Sequence, residues 1–283
     1  MWRQKVGISL NGKYDCPIEE VIGLIKETGF EAVSPDCKSA EGLSELPRII
    51  SAAGECGLSV QSLHAPTAKT ADLWSCDAQL GAEALNDYLA IADNCAQYGI
   101  PIMVVHAWRG MEYRFDPKTL YYENFDKLVS FAGRHGVRIA FENTEGEEYL
   151  LALMAHFKDC RTVGYCWDSG HEMCYNHSRD LLAELGDRLI MTHLNDNLGI
   201  SRFDGRIAGT DDLHLLPYDG IADWDAVVAR LKKAAPVDIL NLEVKNVSRR
   251  GRHDNDAYGR MPLARYFAEA YRRACKIAYG YAR

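Results

Sequence analysis

Four side chains able to hold a cation stand where apolar runs end: Glu142 in VRIAFENT, Asp168 in VGYCWDSGH, His193 in LIMTHLNDN and Glu243 in ILNLEV. Three carboxylates and one imidazole form a hard, mixed oxygen and nitrogen set suited to Mn²⁺, Mg²⁺ or Zn²⁺. An ion held this way can grip adjacent oxygens of a hydroxy-carbonyl substrate and stabilise the enediolate left by deprotonation. Glu142 and Glu243 come from well-separated runs. On opposite faces of a substrate, one would remove a proton and the other return it, as epimerisation or aldose–ketose isomerisation requires. Further donors close or follow other runs: His64 in LSVQSLHAP, His106 in PIMVVHAW, His171 three residues after Asp168, and Asp212 with His214 in DLH. Five of the nine histidines thus fall at or just past apolar runs, whereas His135, His156, His177 and His253 lie in helical or loop stretches.

Donors at the ends of several runs converge only if those runs are neighbouring parallel strands with their C-terminal ends together. The pattern predicts strands over Val6–Leu10, Phe30–Ser34, Leu58–Leu63, Ile102–His106, Val137–Glu142, Val163–Trp167, Leu189–His193 and Ile239–Glu243. Helical periodicity fills the gaps at Ile18–Thr28, Leu43–Cys56, Ala78–Tyr98, Leu120–His135, Glu148–Phe157, Arg179–Leu185, Trp224–Ala234 and Pro262–Tyr279. Glycines 29, 57, 99 and 136 stand where left-handed helix caps are needed. Strict strand–helix alternation implies right-handed crossovers, and eight repeats close most naturally into a (β/α)₈ barrel. No composition shift divides the 283 residues, so one α/β domain over 1–283 is expected. Two loops exceed what a barrel needs, 195–223 and 245–260.

Composition narrows the function. A net charge of -8 argues against general nucleic-acid affinity. Nine cysteines, odd in number and without a CxxC, point to a reducing cytoplasm. No stretch approaches a membrane span, and no apolar leader opens the chain. Basic residues gather on the last two loops: Arg202, Arg206, Lys245, Arg249, Arg250, Arg252 and Arg260. A solvated or subunit-contact face is the plain account, but Lys245 stands two residues past Glu243 and suits an anionic substrate. Trp108 and Tyr113 would either wall a sugar or lid the core. Cys166 and Cys174 read as packing residues.

The stretches FENTEG (141–146), VGYCWDSGH (163–171), HLNDN (193–197), DLHLLPYDGIADW (212–224) and LEV (242–244) resemble the xylose isomerase-like superfamily of TIM barrels (AP endonuclease family 2). The resemblance implies two alternatives. In the sugar isomerase and epimerase branches, one Mn²⁺-type ion, with Zn²⁺, Mg²⁺ or Co²⁺ as substitutes, falls on Glu142, Asp168, His193 and Glu243. The glutamates act as acid and base, and His171 holds a substrate oxygen. In the endonuclease IV branch, three Zn²⁺ ions take those four plus His64, His106, His171, Asp212 and His214, and the substrate is abasic DNA. HAPTAKTADLW lacks the tyrosine and asparagine of that branch, and the run between HLND and DLH lacks its Asp-Arg-His wording. The acidic charge also disfavours DNA. The reading adopted is a divalent-metal-dependent sugar isomerase or epimerase, compatible with a homo-oligomer, whose substrate is sugar-like, with an anionic one among the options. Catalysis falls to Glu142 and Glu243, and substrate contact to His64, His106, Trp108, His171 and Lys245. A metal-dependent dehydratase of a cyclic polyol or keto acid would share the first step.

Overall fold

A computed structural model describes residues 4–37 and 40–283. The alternating and continuous apolar runs become parallel strands: β1 (Lys5–Leu10), β2 (Ala32–Pro35), β3 (Ser59–Val60), β4 (Ser62–His64), β5 (Ile102–His106), β6 (Arg138–Glu142), β7 (Val163–Asp168), β8 (Leu189–His193) and β9 (Ile239–Leu242). They form two hydrogen-bonded ladders, β3-β2-β1-β9 and β4-β5-β6-β7-β8. Isolated parallel bridges join the ladders at both edges, Asp36 to His64 and Leu194 to Leu242. The result is a closed TIM barrel, because each edge of one ladder meets an edge of the other.

The third expected strand, Leu58–Leu63, is broken at Gln61. Its first half pairs with β2 and its second with β5, so one stretch serves both ladders. The second strand starts and ends later than expected, at Ala32 and Pro35.

Helices α1 (Ile18–Thr28), α2 (Ala40–Cys56), α3 (Ala78–Tyr98), α4 (Glu123–Arg134) and α5 (Glu147–His156) alternate with the strands. Gly29 and Gly99 close α1 and α3 in the left-handed conformation, as their positions predicted. A short helix that was not expected, α6 (Ser169–Cys174), precedes α7 (Leu181–Leu185), which forms from the segment expected over Arg179–Leu185. The remainder are α8 (Trp224–Leu231), α9 (Asp256–Gly259) and α10 (Leu263–Ala282). The main apolar core lies between strands and helices, with Ile8, Ile22, Phe125, Phe141, Tyr165 and Phe267 essentially inaccessible. A second cluster, Ile102, Val104, Ala140, Cys166 and Met191, fills the barrel interior. Among the described residues, no helix is long and apolar enough to cross a membrane.

Candidate metal centre

Side chains on a strand alternate between the barrel interior and the helices. The interior fillers Val104, Ala140, Cys166 and Met191 therefore place His106, Glu142, Asp168 and His193, two residues further on, into the mouth of the barrel. On β9, Asn241 is followed by Glu243 in the same way. Register brings these positions level: Glu142 pairs with His106 and Cys166, and Asp168 with His193. The strand-end donors are therefore neighbours around one rim.

Donor atoms of Glu142, Asp168, His193 and Glu243 all lie within 4.8 Å of one another, and all four residues are buried. His193 Nδ1 sits 2.8 Å from Glu142 Oε1 and 3.1 Å from Glu243 Oε2. Asn195 donates its amide to both Asp168 oxygens, at 3.1 and 2.9 Å, and the His171 amide donates to Oδ1 at 2.6 Å. Asn11 donates to Glu243 Oε1 at 3.2 Å, while Glu243 Oε2 has no hydrogen bond of good geometry. Burial pushes Glu142 and Glu243 upward, but His193 and neighbouring imidazoles outweigh it and hold both well below the usual carboxylate range. Burial, with the Glu243 and Glu142 charges behind it, pushes Asp168 up despite His171. Three convergent buried carboxylates with one unsatisfied oxygen fit a divalent cation.

Two further groups adjoin this quartet. His64 Nε2 and His106 Nε2 approach Glu142 Oε2 at 3.1 and 3.3 Å. Burial opposes a charge on His64, but Glu142 overcomes it and lifts the imidazole to about 9. On the other side, His171 and His214 flank Asp212 Oδ1 at 3.4 and 3.0 Å. Each donates Nδ1–H to a main-chain carbonyl, of Asn143 and Glu243 respectively, both at 3.0 Å. Those bonds fix the tautomer and leave both Nε2 lone pairs facing the carboxylate. Burial, with the Lys245 charge, drives His214 down to about 4. His214 also carries φ +49°, a left-handed conformation that costs a non-glycine residue roughly 1–3 kcal/mol. The structure thus brings all nine sequence-derived donors to one rim.

A cavity of about 340 Å³ opens over this rim. His64, His106, His171, His214, Glu243 and Lys245 line it, whereas Glu142, Asp168 and His193 lie beneath. Trp108 is not among the lining residues: it stacks on Tyr149, ring centroids 4.1 Å apart, beside Tyr113. That aromatic group covers the core, the second of the roles weighed for it. Of the basic loop residues only Lys245 and Arg249 reach the cavity, joined by Arg109 from the loop after β5. Arg202 and Arg252 pair instead with Asp204 and Asp254. Burial pushes the Cys166 thiol to about 12, which keeps it neutral beside His193. A larger cavity of about 740 Å³ lies at the opposite end of the barrel, among residues such as Leu58, Gln61, Ile102, Ile190 and Val237. None of the nine donors reaches it.

Sequence reasoning missed Asn11, Asn143, Asn195 and Arg109, and it named Arg249 only among the basic loop residues whose plain account was a solvated or subunit-contact face. Asn195 follows His193 by two residues and Asn11 follows Ser9 by two, so inward register was the available signal. Asn143 clasps both the amide and carbonyl of Asp168, and no sequence pattern marks it.

A barrel of this kind with carboxylates and imidazoles at its C-terminal rim defines a class of metal-site TIM barrels. The family model of the xylose isomerase-like TIM barrel matches residues 22–269, and the chain belongs to that family. The uncharacterised protein y4fM of Sinorhizobium fredii is 30% identical over 274 aligned residues, covering 81% of this chain and 82% of that protein. Among solved structures, the zinc-binding IolI protein superposes with a TM-score of 0.75 at 15% identity, covering 98% of this chain and 99% of that one. D-psicose 3-epimerase of Clostridium cellulolyticum H10, solved with D-tagatose, gives 0.68 at 14% identity over 97% and 99%. The 3-keto-D-glucoside 4-epimerase YcjR of E. coli gives 0.65 at 16% over 90% and 98%.

Proposed function

We propose that this protein is a divalent-metal-dependent isomerase or epimerase of a sugar or sugar derivative, with residues 1–283 acting as one domain. The observation that carries this is the Glu142, Asp168, His193 and Glu243 quartet beneath a cavity of about 340 Å³, a size suited to a small polar metabolite. The epimerase neighbours support the sugar class, and the zinc bound by IolI supports a divalent ion. We assign Mn²⁺. A bound ion would polarise the substrate carbonyl and stabilise negative charge on its oxygens.

The chain's own residues move the proton. Glu243 lines the cavity while Glu142 is fully buried, so Glu243 is assigned the abstraction from the carbon beside the carbonyl. Glu142 is assigned the return of a proton. His64, His106 and His171 orient hydroxyls from the cavity wall, and Lys245 receives an anionic group where the substrate has one. A substrate with a leaving hydroxyl next to the deprotonated carbon would instead be dehydrated after the same first step.

The test is exchange of the carbon-bound proton. Mn²⁺-loaded protein is incubated in D₂O with ketohexoses, inososes and 3-keto-glucosides, and NMR follows loss of the C–H signal. Exchange is expected for at least one substrate, and Glu243→Gln is expected to slow it about 10²–10⁴-fold. A second reading is favoured by the two additional donor groups, His64–His106–Glu142 and His171–Asp212–His214: a three-zinc phosphodiesterase acting on abasic DNA. Chelator-sensitive nicking of an abasic duplex, with no exchange on any sugar, would establish it over the first.

A further inference from the structure

Besides the His64–His106 pair, which shares Glu142 with the quartet, the rim holds two cation-ready clusters of unequal charge. Three carboxylates meet at the Glu142–Asp168–His193–Glu243 quartet, but Asp212 is the only one between His171 and His214. That carboxylate is already met by a side chain: the Arg249 guanidinium pairs with Asp212 Oδ2, and its Nε donates to the Asp212 main-chain oxygen. Lys245 adds positive charge beside His214. Arg249 is delivered by a tethered loop. The Lys245 amide donates to His214 O at 3.0 Å. Further along, Asn255 Nδ2 donates to Leu213 O at 3.2 Å, and the Asn255 amide to Ser248 Oγ at 2.9 Å.

We infer that Arg249 closes the His171–Asp212–His214 cluster to a second metal ion; because the His64–His106 pair meets the quartet's own Glu142 and brings no further carboxylate, the rim is then a one-ion centre. A dication entering between the two Nε2 lone pairs would share its only carboxylate with a guanidinium and lie near an ammonium. Like charges at such separations repel strongly in a poorly solvated site. At the quartet the neighbours of the carboxylates are imidazoles, which can themselves ligate a cation; a guanidinium has no lone pair to offer. Arg249 is therefore a specificity-determining residue for metal number. It leaves the lone pairs of His171 and His214 to hydroxyls of a substrate in the cavity.

This inference rests on the isomerase reading and is separable from it. Protein loaded with excess Zn²⁺ or Mn²⁺ and desalted is assayed for metal by inductively coupled plasma mass spectrometry. Wild type is expected to hold one ion per chain. Arg249→Gln should hold two in zinc, Arg249→Lys one, and the double variant Arg249→Gln with Asp212→Asn one again. Circular dichroism checks that each variant is folded. The single wild-type ion should be lost in Glu142→Gln and retained in His214→Gln. Two or more ions in wild type, or one ion in folded Arg249→Gln, overturns the role of Arg249 and leaves the quartet standing. No ion in wild type overturns the proposed function itself.

Discussion

Two of the buried imidazoles at the rim, His193 and His64, carry protons that a cation must displace. Burial alone would keep His193 neutral, yet the Glu142 and Glu243 carboxylates raise it well above its ordinary value. Glu142 does the same for His64, which reaches about 9. In the metal-free protein these rings are protonated at neutral pH, and a ring that binds metal must first lose its proton. Raising the pH removes that competitor, so the sign is fixed: metal affinity increases with pH, by at most about tenfold per pH unit for each proton released. We expect the Mn²⁺ dissociation constant to fall steadily from pH 6 towards pH 9, with proton release visible as a buffer-dependent heat in calorimetry. A dissociation constant flat across that range would mean that His193 does not take part in binding.

At the level of elements, the mouth is set as much by the joins after the strands as by the strands. The strand-end donors were legible because period-two alternation carries each apolar interior face up to one polar residue at the rim. The break at Gln61 was not legible, since it arises from the third strand being shared between two ladders. Helix α6 was also missed: six residues are too few to show a 3.6 period, and Asp168 itself caps it. Arg249 and Trp108 were misjudged or passed over for a related reason. Loop side chains take their direction from tertiary contacts, here with Asp212 and Tyr149, and local sequence does not encode those. Helix α6 enters the site through a close approach. A Cβ at Gly170 would stand 1.9 Å from Asn195 Oδ1, so only glycine lets the loop after β8 lay the Asn195 amide on Asp168. Gly170→Ala should push Asn195 away and weaken metal binding about 10–100-fold, the usual scale for losing an outer-shell partner. Equilibrium dialysis measures the loss and thermal melting checks the fold. Unchanged affinity in a folded variant would show that Asn195 has no part in orienting Asp168.

Across the whole barrel, the site lies on a weak join. Neighbouring strands β5 and β6 share five registered pairs, whereas β8 meets β9 only through the Leu194–Leu242 bridge. Two main-chain bonds hold that seam, Leu194 N to Asn241 O at 2.9 Å and Glu243 N to Leu194 O at 3.1 Å. The Asn241 amide goes instead to the Thr192 hydroxyl at 3.0 Å. A cation held by Glu142 and His193 on one side and Glu243 on the other would bridge this seam and link the two ladders. Ligand binding stabilises a folded state by an amount that grows with the logarithm of free ligand over the dissociation constant, about 2.7 kcal/mol at a hundredfold excess. Here the gain should be local, because the ion ties together strands with few bonds of their own. Hydrogen–deuterium exchange should therefore show the amides of Leu194 and Glu243 losing protection on chelation, while those of Ile139 and Ala140 in β6 stay as they were. If chelation changes all strands equally, the ion stabilises the barrel as a unit. If protection at the seam does not change at all, Glu243 shares no cation with Glu142 and His193, and the quartet is not a metal site.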